Sequence, residues 1–361
     1  MSSLLAYCRT GYEADTAKEL AQRAGELNLY GYPQFNAGQG YVHYHLYNSA
    51  DGKRLAQQLP LSSTVFPRQL VAVCETLDEL DKADRITPIV DAVASLVKVS
   101  GPFGRLLVEH ADTDAGRELA KFCRKFSVPL RQALRKPGLI SQKENLHQAC
   151  LHVFFTGFDQ CQLGYSLAQF PAAFENGICR LKFPPAAPSR STLKLEEAIV
   201  TMLDVSQRER VFRSGGRAVD LGACPGGWTY QLVQRGLFVE AIDNGLIDEA
   251  LMATGQVQHF AADGFTYKPQ MGRVDLLVCD MIEQPDRVAK LMGDWLVNHW
   301  ADHAIFNLKL PMKKRYECVE SAISQLEKRL QKLKTTFTLR VRHLYHNRDE
   351  VTVSVIRGEI E

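Results

Sequence analysis

No two of the nine cysteines in this 361-residue chain form a C-x-x-C pair. That absence, with an odd total, argues against both a disulfide framework and a structural zinc site, so the thiols read as reduced and mostly buried. Long apolar runs are missing too: none approaches the roughly 20 residues of a membrane helix. The opening MSSLLAYCRTGYEADTAKEL lacks the cationic start and apolar block of a secretory leader. A cytoplasmic protein without a membrane partner is the expectation. A large excess of one sign of charge is missing, and a formal net charge of +2 names no polyanionic partner, so any such case must rest on local patches. Internal repeats and low-complexity tracts are absent as well. What is present is 45% apolar and 23% charged residues in a chain longer than one core usually organises, which implies two or three domains.

One seam is clear. LKFPPAAPSRS carries Pro184, Pro185 and Pro188, which fit neither a helix interior nor a central strand, so 181–191 reads as an extended linker. Before it, short strands (LLAYC, GYVHYHLYN, RLLVEHAD, CLHVFFTG, QCQLGYSL) mix with helical stretches such as EADTAKELAQRAG and PIVDAVASLVKV, the pattern of small α+β units. After it, strand-like AVDLGAC, FVEAID, VQHFAAD, VDLLVCDM and AIFNLKL alternate with helical segments starting near Gly226, Ile247, Gln284 and Lys313. That alternation is a βαβ series, hence an α/β fold with a parallel sheet covered on both faces. LRVRHLY and VTVSVIR are joined by a turn too short for a crossover, so the last pair is expected to be antiparallel.

Ligands of open parallel sheets bind beyond the carboxyl ends of the strands. Those positions are polar here: the turn Gly222-Ala-Cys224-Pro225-Gly226-Gly227, then Asp243, Asp263, Asp280, and finally Asn307 and Lys309. Aspartates at strand ends are often caps or turn residues; the whole set together points to a site. The glycines let a ligand approach the backbone, and the following N–H groups suit a small anionic group such as a carboxylate better than a pyrophosphate, which needs G-x-G-x-x-G. Asp243 suits the two hydroxyls of a ribose, and Asp263 an adenine amino group. Carboxylate, ribose and adenine in that order describe S-adenosylmethionine.

At these residues the chain resembles a known family. GACPGGW, the strand-end aspartates and the final antiparallel strand are similar to the class I methyltransferases, with their Rossmann-like sheet. SRSTLKLEEA with Lys194, CDM with Asp280, FNLKLP with Lys309 and RDEVTV with Glu350 resemble the Lys-Asp-Lys-Glu tetrad of ribose 2′-O-methyltransferases. KFCRKFSVPLR, RLKFPPAAPSRSTLKLEEA and LKLPMKKRYE extend the resemblance end to end, to the large-subunit ribosomal RNA methyltransferases of type M. The resemblance implies methylation of the ribose of a cytidine in the peptidyl-transferase loop of 23S rRNA. Its implied partner is 23S rRNA or a large-subunit precursor. It further implies a ferredoxin-like α+β region at 1–60, a THUMP RNA-binding region at 61–180 and a methyltransferase domain at 192–361. Under it Lys309 is the general base, Lys194 positions the ribose, Asp280 bridges cofactor and tetrad, and Glu350 aligns a lysine; Ser191 joins the cofactor-binding set. A monomer is compatible with this reading, and the oligomeric state stays open.

The rival from another class is a non-catalytic rRNA-binding or assembly factor that keeps the fold. A nicotinamide oxidoreductase fails on the Cys-Pro in the turn. Cys279 reads as a buried strand thiol, and HWADH at 299–303 lacks the Glu of a metal motif, so no metal is assigned. Amino-group methylation lacks its Asp/Asn-Pro-Pro-aromatic stretch. KFCRKFSVPLRQALRKPG, with Lys121, Arg124, Lys125, Arg131, Arg135 and Lys136 and no acid, is the candidate RNA grip. Lys309, Lys313, Lys314 and Arg315 form a second patch.

Overall fold

Val42, Tyr44 and Leu46 are buried while their neighbours are half-buried, the period-two pattern of a strand with one face on a core. The computed structural model describes residues 3–170 and 172–358, in two units, Met1–Ile178 and Cys179–Glu361. The first contains strands β1 (Ser3–Tyr7), β2 (Gly31–Gln34), β3 (Tyr41–Leu46), β4 (Gln69–Leu77), β5 (Arg105–His110), β6 (Cys150–Phe155) and β7 (Cys161–Ser166). Its helices are α1 (Glu13–Glu26), α2 (Gly52–Gln58), α3 (Ile86–Ser100) and α4 (Asp114–Arg135). The strands make one sheet in the order β2-β3-β1-β4-β7-β6-β5, antiparallel except for β5 beside β6.

Helix α4 starts where Thr113 Oγ1 accepts the Gly116 N–H at 2.9 Å, satisfying one of the donors a helix start leaves open. Leu119, Cys123, Leu130 and Leu134 bury its apolar stripe. Phe122 and Phe126 stack on each other and meet Phe155 edge-on, so these rings are core. Lys121, Arg124, Lys125 and Lys136 are exposed, with Arg131 and Arg135 half-buried. Under the same sheet Glu109 and His152 form a fully buried ion pair at 2.6 Å. Glu109 also accepts the Tyr7 hydroxyl at 2.8 Å and the Asn176 N–H at 2.7 Å. Burial by itself lowers the His152 pKa, but Glu109 outweighs it and lifts it to about 10.

The second unit contains α5 (Thr192–Met202), α6 (Val205–Val211), β8 (Arg217–Leu221), α7 (Gly227–Val233), β9 (Phe238–Ile242), α8 (Glu249–Met252) and β10 (Val257–Phe260). It continues with β11 (Val274–Cys279), α9 (Pro285–Val297), β12 (Ala301–Lys309), α10 (Arg315–Leu330), β13 (Phe337–Arg342) and β14 (Glu350–Arg357). The helix expected near Ile247 is one short turn, started by Asp248 accepting the N–H groups of Ala250 and Leu251. The order is β10-β9-β8-β11-β12-β14-β13. Six strands run in one direction, and β14 alone enters antiparallel, between β12 and β13. Chain order therefore reverses between β8 and β11, the place where doubly wound sheets open a ligand crevice.

Candidate active site

The turn after β8 runs into α7 through three glycines that the local geometry demands. Gly222 has φ +79°, and a Cβ there would lie 2.7 Å from Met281 Cγ. Gly226 has φ +115°, which disfavours any L side chain. A Cβ on Gly227 would collide with the hydroxyls of Ser189 and Ser191, which hydrogen-bond each other at 2.6 Å above the start of α7. Cys224, the one exposed cysteine among the described residues, donates its backbone N–H to Asp243 Oδ2 at 3.1 Å. Asp243 Oδ1 accepts the Gly245 N–H at 2.8 Å, so the expected ribose-binding aspartate also fixes the turn. Asp263 is exposed and accepts the Phe265 N–H at 2.9 Å.

Lys194, near the start of α5, lies 3.1 Å from Asp280 and 2.8 Å from Glu350. Lys309, at the end of β12, lies 3.4 Å from Asp280 and 3.1 Å from Glu350. Four residues scattered through the sequence thus form one cluster of two amines and two carboxylates. The sheet explains why: Lys309 and Glu350 are direct cross-strand partners on β12 and β14, and Asp280 follows β11, next door to β12. Behind them runs a buried chain. Asn307 donates to Asp280 at 2.8 Å, Thr352 to Asn307 at 2.7 Å, and Asn347 to Thr352 at 3.0 Å. Burial by itself lowers the Lys194 pKa, but Asp280 and Glu350 outweigh it and raise it. Burial pushes Glu350 the other way, yet the two lysines hold its carboxyl below the usual value.

Asp220, quoted in the sequence but passed over, is the residue that reasoning missed. It is fully buried on β8 and accepts the Thr229 hydroxyl at 2.7 Å, while its other oxygen has no hydrogen-bond partner. Burial raises its pKa to about 7; Thr229 opposes that, and Asp280 and Asp243 add to it. A charged residue within an apolar strand covered on both faces was the available signal. Thr352 and Asn347 were likewise missed.

These acceptors bear on which cofactor fits. An unpaired buried carboxylate oxygen, three further aspartates and a backbone opened by glycine suit a ligand with ammonium and hydroxyl donors and a cationic centre, as S-adenosylmethionine has. The fold and this site define an S-adenosylmethionine-dependent methyltransferase of the Rossmann-like class, and the FtsJ-like methyltransferase family model matches residues 187–343. Two further models match: the RlmM ferredoxin-like domain at 1–71, and ribosomal RNA large subunit methyltransferase M, N-terminal, at 84–167. Ribosomal RNA large subunit methyltransferase M of Alteromonas mediterranea is 60% identical over 99% of this chain and 98% of its own. Those of Pseudoalteromonas atlantica and Shewanella loihica are 48% and 49% identical over 98% of this chain, covering 98% and 96% of theirs. The chain belongs to the ribosomal RNA large subunit methyltransferase M family and is a ribosomal RNA methyltransferase.

Proposed function

We propose that this protein methylates the 2′-hydroxyl of a cytidine in the peptidyl-transferase loop of 23S rRNA, with Lys309 as general base. The observation that carries this reading is the convergence of Lys194, Asp280, Lys309 and Glu350 beside the turn. Bound S-adenosylmethionine supplies an electrophilic methyl group on a sulfonium; Asp220, Asp243, Asp263, Asp280, Ser191 and the 222–227 turn hold it. A ribose hydroxyl is a poor nucleophile until its proton leaves, so an adjacent base is required. Lys194, held as a cation by two carboxylates, positions the ribose oxygen. Lys309 reaches the same carboxylates at longer range and takes the proton, and Glu350 aligns both amines.

Base methylation through a cysteine adduct is disfavoured, because burial pushes the Cys279 thiol up to about 12. The exposed cations of α4, in the region we assign as THUMP, grip the RNA. All four tetrad side chains come from one chain, so a monomer suffices for this chemistry. The test uses 23S rRNA, and large-subunit precursors, from cells lacking the protein, with methyl-labelled cofactor. One alkali-resistant linkage after a single cytidine is expected. A labelled base with an alkali-labile linkage overturns the ribose assignment, and no transfer at all favours an assembly factor.

A further inference from the structure

The three most exposed large apolar side chains among the described residues are Leu246 (82%), Ile282 (88%) and Met312 (91%). Each follows the carboxyl end of a parallel strand, β9, β11 and β12 in turn. Two of them flank the tetrad. Ile282 is two residues past Asp280, and Met312 three past Lys309, on adjacent strands paired at Cys279 and Phe306. A chain spans at most about 3.6 Å per residue, so Ile282 stays within about 7 Å of Asp280, and Met312 within about 11 Å of Lys309, Cα to Cα. Between Asp280 and Ile282, Met281 packs over the glycine backbone: a Cβ on Gly222 or Gly264 would meet its side chain at 2.7 or 2.9 Å. Ile282, by contrast, is turned outward.

The amines they flank are recessed, the side chains of Lys194 and Lys309 being only 16% and 23% exposed. A paired RNA helix is broad, and its 2′-hydroxyls lie along a shallow groove. Exposed side chains close to half-buried amines would hold such a helix off, so that the target nucleotide would have to leave its stack to reach Lys309. Apolar side chains such as Ile and Met are the ones that fill the gap an unstacked base leaves. Lys313 and Lys314, both exposed, adjoin Met312 and suit the neighbouring phosphates.

We propose that Ile282 and Met312 are a wedge pair that holds the RNA open around the extruded target nucleotide. This rests on the ribose methylation proposed above. The experiment compares two hairpin RNAs carrying the mapped target, one with the nucleotide paired and one with it opposite an abasic site. For Ile282→Ser, Met312→Ser and the double variant, the single-turnover rate on the paired RNA should fall roughly tenfold or more. On the unpaired RNA it should return to within about threefold of wild type, because the opening step is already done. Cofactor affinity by calorimetry should be unchanged, as should all rates for Val205→Ser, an exposed position on α6, which feeds the amino end of β8. Equal losses on both RNAs, or no loss on either, overturn the wedge. Wild-type methylation of a base instead of a ribose overturns both readings, whereas wild-type ribose methylation with unaffected variants sinks the wedge alone.

Discussion

Lys309 and Lys194 share the same two carboxylates, so charge alone does not distinguish their roles, but substitution does. Lys309→Met keeps the aliphatic stem and removes the base, and single-turnover methyl transfer at saturating RNA should slow by roughly 10²–10⁴-fold with cofactor binding intact. Lys309→Arg should not rescue it, since a guanidinium does not accept the proton; a near wild-type rate for it would show that the position supplies only positive charge. Asp243→Ala loses charge-assisted hydrogen bonds and should weaken cofactor binding by roughly 2–4 kcal/mol, read by calorimetry. Asp220 gives a prediction in pH. In the cofactor-free fold its pKa stands near 7 against an ordinary 3.8. Between those values the folded state binds the extra proton, so the contribution of Asp220 to stability falls as pH rises, by up to about 1.4 kcal/mol per unit, while His303, which burial lowers to about 4 in the same unit, contributes the opposite slope up to its unfolded value of 6.5. All three tryptophans, Trp228, Trp295 and Trp300, lie in this unit, so fluorescence-monitored urea unfolding at pH 5 to 7 reads that slope. Asp220→Asn should remove the falling contribution, so that stability rises more with pH in the variant than in the wild type.

At the scale of elements, α4 bears the test of RNA binding. Its apolar stripe is committed to the core, which leaves the cations of the outer face without a structural duty. Reversing Arg124, Lys125 and Arg135 to Glu should weaken RNA binding and flatten its salt dependence, because fewer counterions are released, while cofactor affinity holds. Unaltered affinity and salt slope would make the face merely solvated. The downstream alternation of strands and helices was legible because buried parallel strands read as apolar runs with polar residues at their carboxyl ends. The seating of β14 between β12 and β13 was not: a hairpin's pattern fixes its antiparallel pairing but not which strand meets the sheet. That seating sets Glu350 opposite Lys309, so the tetrad's residue types were readable while their meeting needed the sheet. Asn347 and Thr352 were invisible for the same reason, since polar residues near a strand end usually read as solvent-facing.

For the whole molecule, the hydrophobic clusters divide as the units do. In the second unit one cluster gathers buried residues from Leu195 to Ile356, and in the first unit other clusters gather residues between Leu4 and Ala172. Every side chain assigned to cofactor or tetrad falls in the second unit, so residues 179–361 alone should fold and bind S-adenosylmethionine within about threefold of the full chain, with RNA affinity lost. Calorimetry on that fragment decides it; a fragment that folds but does not bind the cofactor would show that the cofactor site needs the first unit. The position of β14 also sets an order in time. Chains emerge from the ribosome amino end first, and β14 is the last strand of the sheet to appear while supplying the hydrogen-bonding partner for both β12 and β13. Until it arrives, β12 is a bare edge, β13 has nothing to join, and Lys309 lacks Glu350. If Lys309 is the base proposed above, a nascent chain completes its cofactor-side turn well before it can deprotonate a ribose, and the enzyme would stay catalytically silent beside the rRNA of the ribosome that is making it.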